Sequence, residues 1–361
     1  MLRSLVQFIF LVATALLTAC GGSSGIGAGS TVSTAIIGLA VNGNTLYVAN
    51  ADKQVIQALD LTTLAVTTVA GGAGVAGTTN GTGTAARFYE PFGLVFVPGA
   101  PDMLYVADTF NHGIRAINTT TNAVTTLSGT LGTSGATDGA STSALFNNPK
   151  GIAFDGTSLI VADSVNYLVR TVNKTSGAVG TPIGTSGQSG YVDGVGAGVK
   201  FGNPFAVAAT ATYVYVSDAY NNSIRSVQLT GGGAGTVATV AGSTSGTSGT
   251  TDSTGTSARF KTPTGIASDG ANTLYVADSA NHTIRKIDLS TTPATVSTIA
   301  GTAGTSGSTD GTTAAKFNTP TGLALNSLGT ILYVSDQNYT KVRKIDLTTS
   351  PATVSTLNAS F

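Results

Sequence analysis

The sequence predicts an all-β protein, a six-bladed β-propeller of four-stranded antiparallel blades. A five-residue pattern of the type Leu-Tyr-Val-Ala-Asp recurs six times along the chain. The second positions of consecutive copies are about 55 to 60 residues apart, and a repeat at a near-constant period is the mark of a solenoid or a propeller. Glycine makes up 47 of the 361 residues, which is typical of a chain with many turns. The second positions of the six copies are Tyr47, Tyr105, Ile160, Tyr215, Tyr275 and Tyr333.

The fifth copy illustrates how one repeat divides into strands. Short apolar or β-branched runs at residues 265–268, 273–278, 283–289 and 295–300 are separated by turn residues and predict four strands. The second run is apolar at consecutive positions, so we expect neighbouring sheets to cover both of its faces. Radially stacked blades provide that cover, and a linear solenoid is the alternative.

The repeats resemble NHL repeats from about residue 35 to residue 361. The resemblance implies a six-bladed β-propeller and leaves the function open, because one fold hosts many functions. The first copy departs most, with Ile36-Ile37-Gly38 in place of the Pro-containing start and Asn50 in place of Asp. In the fifth copy the matching residues are Pro263-x-Gly265-Ile266-Ala267, Leu274 to Asp278, Asn281-His282, Ile284 to Ile287 and Val296 to Gly301.

The first 34 residues have the pattern of a targeting segment. Residues 1–19 combine an early Arg3 with an apolar run and small residues, as a secretory signal peptide does. Leu17-Thr18-Ala19-Cys20 resembles the bacterial lipobox, which implies lipidation of Cys20. Residues 20–34 are rich in Gly and Ser and predict a flexible tether. We therefore expect a secreted bacterial protein, lipid-anchored to the membrane, and to the outer membrane where the host has two.

Composition excludes several classes of function. Seventeen basic residues balance seventeen acidic ones, and charged residues make up 9% of the chain, so a binder of nucleic-acid phosphates is not expected. One Cys excludes an intrachain disulfide framework, and two His leave little material for a metal or acid–base centre. We expect a monomeric binding protein without a cofactor.

Five acidic residues recur at the end of the second strand, each followed seven positions later by Arg. A hairpin turning midway sets two such side chains opposite each other, and the first copy has Asn50 and Gln57 there, so both charges are lost together. We interpret them as exposed structural ion pairs and not as a carboxylate-lined site. The pairs are Asp108–Arg115, Asp163–Arg170, Asp218–Arg225, Asp278–Arg285 and Asp336–Arg343.

Asx residues also recur in the linkers between copies. They are followed by Gly or Ser, and we interpret them as turn residues and not as calcium ligands, since each linker offers one. These residues are Asn80, Asp138, Asp193, Asp252 and Asp310.

The variable residues of the repeat predict a recognition surface. In a propeller, the turn after the second strand and the linker before the first strand project from one face. Aromatic side chains exposed there favour binding of an envelope protein, a peptide or a glycan, although they can instead pack under the linkers. The candidates are Phe92, Lys150 and Phe205 near the channel, and Phe110, His112, Tyr167, Tyr220, His282 and Tyr339 in the turns.

An enzyme is the alternative function. Glu90, Asn148 and Asn203 precede Pro or its equivalent in successive repeats and are similar in kind to the oxygen ligands of gluconolactonase-like propellers. That resemblance implies a divalent cation at the channel mouth and lactone or ester hydrolysis. His112 and His282 belong to repeats two and five, too far apart around a ring to share one metal.

Overall fold

Six antiparallel sheets form the six blades of a β-propeller in the computed structural model, which confirms the predicted fold. The structure describes residues 35–99, 102–231, 235–336 and 340–361. The predicted signal peptide, Cys20, the tether and Tyr339 therefore lie outside the described residues. No helix within the described ranges is long and apolar enough to cross a membrane.

Each blade is contiguous in sequence. Blade one contains β1 (Ile36–Asn42), β2 (Thr45–Asn50), β3 (Val55–Asp60) and β4 (Val66–Ala70). Blade two contains β5 (Gly81–Thr82), β6 (Pro91–Val97), β7 (Met103–Asp108), β8 (Gly113–Asn118) and β9 (Ala123–Ser128). Blade three contains β10 (Pro149–Phe154), β11 (Leu159–Asp163), β12 (Leu168–Val172) and β13 (Val179–Ile183).

The remaining three blades follow the same order. Blade four contains β14 (Gly194–Val195), β15 (Pro204–Ala209), β16 (Tyr213–Asp218), β17 (Ser223–Gln228) and β18 (Thr236–Gly242). Blade five contains β19 (Ser253–Thr254), β20 (Pro263–Ser268), β21 (Thr273–Asp278), β22 (Thr283–Asp288) and β23 (Thr295–Ala300). Blade six contains β24 (Pro320–Leu325), β25 (Ile331–Asp336), β26 (Lys341–Asp346) and β27 (Thr353–Leu357).

Short 3-10 helices complete the secondary structure of the described chain. Four lie in the linkers, at Gly83–Ala85, Ser141–Ser143, Gly196–Gly198 and Gly255–Ser257. Three lie between the second and third main strands of a blade, at Thr109–Asn111, Ser164–Asn166 and Ser279–Asn281.

The innermost strand of blades two to six begins at a proline. In blade five this strand starts at Pro263, two residues before the predicted start, because a proline without an N–H can open a strand but cannot continue a ladder. Inner strands β1, β6, β10, β15, β20 and β24 contact one another around the central channel.

The outer edges of the blades are covered by their own linkers. Two-residue strands β5, β14 and β19 pair with the outermost strands β9, β18 and β23. Single bridges, Gly139 to Val179 and Gly311 to Val354, do the same in blades three and six. An exposed strand edge invites pairing with other chains, and these additions shield five of the six edges.

The blades stack through apolar side chains of their second strands, which are buried on both faces as the consecutive apolar run predicts. Blade six packs on blade one through a cluster that includes Tyr333, Val342, Ile36 and Leu59. Inner strands approach so closely that a Cβ atom at Gly322 would lie 1.9 Å from the Ile37 carbonyl oxygen. Glycine at this position therefore lets the ring close.

Candidate functional site

The scaffold under the candidate site is the set of repeated Asp–Arg pairs, and all five are present. Asp Oδ2 lies 2.8 to 3.1 Å from Arg Nη1 in each pair, and the side chains are at most 1% exposed. The expectation of exposed pairs is therefore wrong, because the linker of each blade covers its pair. Removing one partner of a buried pair costs about 3–5 kcal/mol, far more than at the surface.

The linker Asx residues are the second partner of each arginine. Asp310 Oδ1 lies 2.7 Å from Arg343 Nη2, and Asn80 Oδ1 accepts a hydrogen bond from Arg115 Nη2 at 2.8 Å. Asp138, Asp193 and Asp252 make the corresponding ion pairs. Their interpretation as turn residues alone missed this role, although each Asx precedes its Arg by 32 to 35 residues.

Backbone and ring contacts complete the network around each guanidinium. In blade five Arg285 Nη1 donates to the Arg259 carbonyl at 2.9 Å, and Arg285 Cζ lies 5.0 Å from the Phe260 ring centroid. Blade one has a neutral pair instead, with Asn50 Nδ2 donating to Gln57 Oε1 at 3.0 Å. Ion pairs and hydrogen bonds of one arginine thus hold each linker against its blade, and this network recurs in blades two to six.

Burial dominates the protonation of the inner carboxyl groups. It raises the pKa of Asp108, Asp163, Asp278 and Asp336 to about 6, against the opposing effect of the arginine and of amide hydrogen bonds. The pKa of Asp218 is raised for the same reason. These groups are enclosed under the turns and are not exposed to a ligand.

The face that we call the mouth face carries the ends of the linkers and the turns after the second strands. Hydrogen bonds hold the two together, for example Phe110 N to the Tyr89 carbonyl at 3.1 Å and Ala280 N to the Lys261 carbonyl at 3.1 Å. His112 and His282 close their turns in the left-handed region at φ of 56° and 59°. In blade six Thr340 holds this position at φ 53°, so the assignment of Tyr339 to it is off by one residue.

Each of the two histidines accepts a hydrogen bond from a backbone N–H group at the start of the next blade, a contact that we call the clasp. His112 Nδ1 accepts a hydrogen bond from Asn148 N at 3.2 Å, and His282 Nδ1 accepts one from Thr319 N at 3.1 Å. Burial lowers the pKa of both histidines, which favours the neutral ring that this acceptor role requires. Gln54 and Asn222 make equivalent clasps to the backbone N–H groups of Glu90 and Thr262.

The junction between blades three and four breaks this pattern. Tyr167 occupies the clasp position and accepts no hydrogen bond from Asn203 N, which donates to Asp218 Oδ1 at 2.9 Å instead. Asn203 lacks the positive φ of Glu90 and Asn148. Its side chain is 7% exposed, and its carboxamide has no hydrogen-bond partner among the described residues. Rule-breaking positions in an otherwise regular repeat are expected at functional sites.

Aromatic side chains are concentrated on blades two to four of the mouth face. Phe92 and Phe205 meet edge to face, with centroids 5.2 Å apart at 78°. Lys150 Nζ lies 4.4 Å from the Phe205 centroid and 5.8 Å from that of Phe92. In the remaining blades the corresponding throat positions are Thr264, Thr321 and Ile37.

The turn position two residues after the buried Asp follows the same division. It holds Phe110, Val165 and Tyr220 in blades two to four, and Tyr220 is 54% exposed. Phe110 packs against the exposed Tyr89, with ring centroids 5.2 Å apart and the ring planes tilted by 37°. Blade five has Ala280 and blade one Asp52 at this position. We call the aromatic surface of blades two to four the aromatic arc; it comprises Tyr89, Phe92, Phe110, Lys150, Val165, Tyr167, Asn203, Phe205 and Tyr220.

The central channel is closed below the mouth. One aliphatic residue of each inner strand lines it, and the two cavities on either side of that ring have volumes of about 60 and 250 Å³. Both are smaller than a usual ligand pocket of about 300–1,000 Å³. The cavity on the mouth side is the smaller one, so a ligand at that face has to bind across the mouth and not inside the channel. The ring consists of Leu39, Leu94, Ile152, Val207, Ile266 and Leu323.

Glu90 is the acidic member of the alternative cation site. Burial and the neighbouring Asp52 raise its pKa to about 7, while Lys150 acts in the opposite direction. Glu90 and Asn148 have positive φ, 48° and 51°, and Asn203 does not, so the three residues differ in backbone conformation, and the cation site they would form stays a prediction. No cluster of three or more His, Cys, Asp or Glu side chains in the described ranges is arranged to hold a metal ion.

These features define a six-bladed β-propeller with an asymmetric mouth. The family model of the NHL repeat matches residues 260–287, in blade five. This match covers one of the six repeats. The chain is similar to human NHL repeat-containing protein 2, with 29% identity over 286 residues, 70% of this chain and 39% of the human protein. The chain thus spans less than half the length of that relative.

Two solved structures from Bacteroides thetaiotaomicron share the fold. One is a structural genomics protein of unknown function, with a TM-score of 0.64, 18% identity, and coverage of 93% of this chain and 73% of that one. The other is an auxiliary nutrient binding protein, with a TM-score of 0.63, 16% identity, and coverage of 90% and 69%. At these identities the likeness concerns the fold.

Proposed function

We propose that the protein is an extracytoplasmic binding module that captures its partner on the aromatic arc. The observation that carries the proposal is the asymmetry of the mouth face. Five blades share one buried network, whereas among the described residues the Phe and Tyr side chains of the throat and turns lie in blades two to four. Burying exposed aromatic rings gives a large gain in contact area at low conformational cost.

Known binding proteins of this architecture support the proposal. An auxiliary nutrient binding protein is among the structural neighbours, so the fold can carry a binding function. On the mouth side the channel offers a cavity of only about 60 Å³, so a partner at this face would contact the aromatic surface, and the covered edges of blades two to six leave little room for strand addition.

The proposed location follows from the N-terminal segment. With a lipid on Cys20, residues 20–34 would connect the membrane to Ala35, whose carbonyl accepts a hydrogen bond from Ala51 N at 2.9 Å next to the turn of blade one. Ala35 therefore lies on the mouth face. Fifteen extended residues reach about 50 Å at most, so the aromatic arc would work close to the membrane surface.

Capture from envelope extract tests the proposal. Full-length tagged protein carrying Tyr220→Ala should retain much less of its partner than the wild type. Tyr213→Ala is the matched control, because Tyr213 belongs to the same blade, is 37% exposed and lies at the opposite end of β16. Equal capture by both variants would contradict binding on the aromatic arc.

Anchoring is tested separately. Cys20→Ala should move the protein out of the membrane fraction and abolish labelling by a palmitate analogue. Unchanged membrane partitioning would contradict the proposed anchor and would leave the aromatic arc unaffected.

A further inference from the structure

We infer that the junction of blades three and four binds a neutral sugar ring of an oligosaccharide. The inference rests on the proposed binding function and names its ligand class. It starts from the junction of blades three and four, where Tyr167 and Asn203 do not make the clasp that four other junctions show among the described residues.

The junction combines unbonded polar groups with aromatic faces. The Asn203 carboxamide and the hydroxyls of Tyr167 and Tyr220 make no hydrogen bond within the described ranges. The two phenols lie close enough to interact, and burial together with Tyr167 raises the pKa of Tyr220. Phe205, the second residue of the adjacent inner strand, is 7% exposed, so the expectation that it is exposed is wrong and the accessible ring of this junction is that of Tyr220. A carboxamide can donate and accept at once, which suits the neighbouring hydroxyls of a sugar, while the C–H face of the ring packs on an aromatic side chain.

A peptide is a poorer match to the same surface. Peptides bind propellers and other β-proteins by adding a strand or by inserting an anchoring side chain into a pocket. Linker strands or bridges cover the outer edges of blades two to six. At the throat, Phe92 and Phe205 pack against each other and the cavity beneath them has a volume of about 60 Å³, which leaves no pocket for a large side chain.

The charges of the mouth favour a neutral ligand over an acidic one. Lys150 lies on the Phe205 ring, but the carboxyl groups of Glu90 and Asp52 are near enough to interact electrostatically. The local charge is therefore not positive, and an anionic glycan or an anionic lipid surface gains no attraction. Binding of a neutral sugar should accordingly be insensitive to salt.

A glycan array tests the inference with the full-length protein in detergent. We expect retention of at least one neutral oligosaccharide, such as a cello-, malto-, xylo- or mannohexaose, with unchanged affinity in 0.5 M salt. Asn203→Ala and Tyr167→Phe should each weaken that binding about tenfold, the loss expected for one or two hydrogen bonds. Neither side chain makes a hydrogen bond with another described residue, so the melting temperature should not change.

Two controls and two contrary results complete the test. Tyr213→Phe and Lys261→Met, on the opposite face and on blade five, should bind as the wild type does. Absence of neutral glycan binding, or preference for hexagalacturonate or for capped heptapeptides on a parallel array, would overturn the inference. If Tyr220→Ala still loses capture from envelope extract in that case, the proposed binding function stands and only the ligand class is wrong.

Discussion

The buried network under the turns recurs in blades two to six, whereas the aromatic arc above the turns belongs to blades two to four. Each of the five paired arginines has a strand Asp, a linker Asx and a linker Phe as neighbours; these are Arg115, Arg170, Arg225, Arg285 and Arg343. The residues at the throat and turn positions of the mouth face, by contrast, differ from blade to blade. The comparison teaches that the repeat encodes a rigid support, and it is in the departures from the repeat that we propose recognition to lie.

The support and the surface should respond differently to substitution. Changes in the network should alter the free energy of unfolding and leave ligand contacts in place. Changes at the exposed residues of the aromatic arc, such as Tyr220, should do the reverse, because exposed side chains add little to a core of six stacked blades.

The largest expected effect is on the inner ion pair. Asp278→Ala leaves Arg285 buried without its strand partner and should lower the free energy of unfolding by about 3–5 kcal/mol in urea denaturation. The double change Asp278→Asn with Arg285→Gln copies the neutral Asn50–Gln57 pair of blade one and should cost less than the sum of the single changes. Additive costs would show that the two side chains act independently.

A smaller effect is expected at the linker end of the same arginine. Asp252 is 46% exposed, so Asp252→Asn, which copies Asn80 of blade two, should cost about 0.5–1 kcal/mol. Asp288→Asn, at an exposed turn, is the control and should cost less. A loss equal to that of Asp278→Ala would mean that the linker contact and the strand contact contribute alike.

The sequence predicted the support better than the surface. Strand order, the six blades and the residues of the inner pairs follow from the repeat and from hairpin geometry. The Asx–Arg contacts were missed because they join residues more than thirty positions apart, beyond any local pattern. Burial of the pairs was missed because the path of the linkers decides it.

The broken junction of blades three and four also lay beyond sequence reasoning. Asn203 aligns with Glu90 and Asn148, but Gly202 N and Asn203 N both donate to Asp218, which changes the local backbone. Tyr167 aligns with histidines and amides whose clasping role depends on a neighbouring blade. Contacts between repeats, unlike those within a repeat, are not visible in the spacing.

Ionisation of Glu90 should make the free energy of unfolding depend on pH, with a smaller effect than loss of the inner ion pair. The folded pKa of Glu90, about 7, lies above the ordinary 4.5, so the contribution of this carboxyl to stability is complete below pH 4.5 and is lost as the pH rises through 7. Glu90→Gln should therefore gain about 1 kcal/mol relative to wild type between pH 4.5 and 8, a value discounted for solvent screening. Urea denaturation across this range checks the sign, and a parallel pH profile for both proteins would contradict it.

The smallest expected effect is that of divalent cations. With Lys150 beside Glu90 and an aliphatic ring below, calcium, zinc or manganese should leave the melting temperature unchanged. A rise in the melting temperature of the wild type that is lost in Glu90→Gln would support the alternative function, a metal-dependent hydrolase.

The central claim is that one face of a uniform scaffold carries the binding surface. Parallel measurement of melting temperature and partner capture for Tyr220→Ala and Tyr213→Ala tests it most directly, since the two exposed tyrosines lie at opposite ends of β16 in blade four. We predict nearly equal melting temperatures for both variants and a loss of capture confined to Tyr220→Ala. Loss of capture in Tyr213→Ala alone, or in neither variant, would contradict the claim.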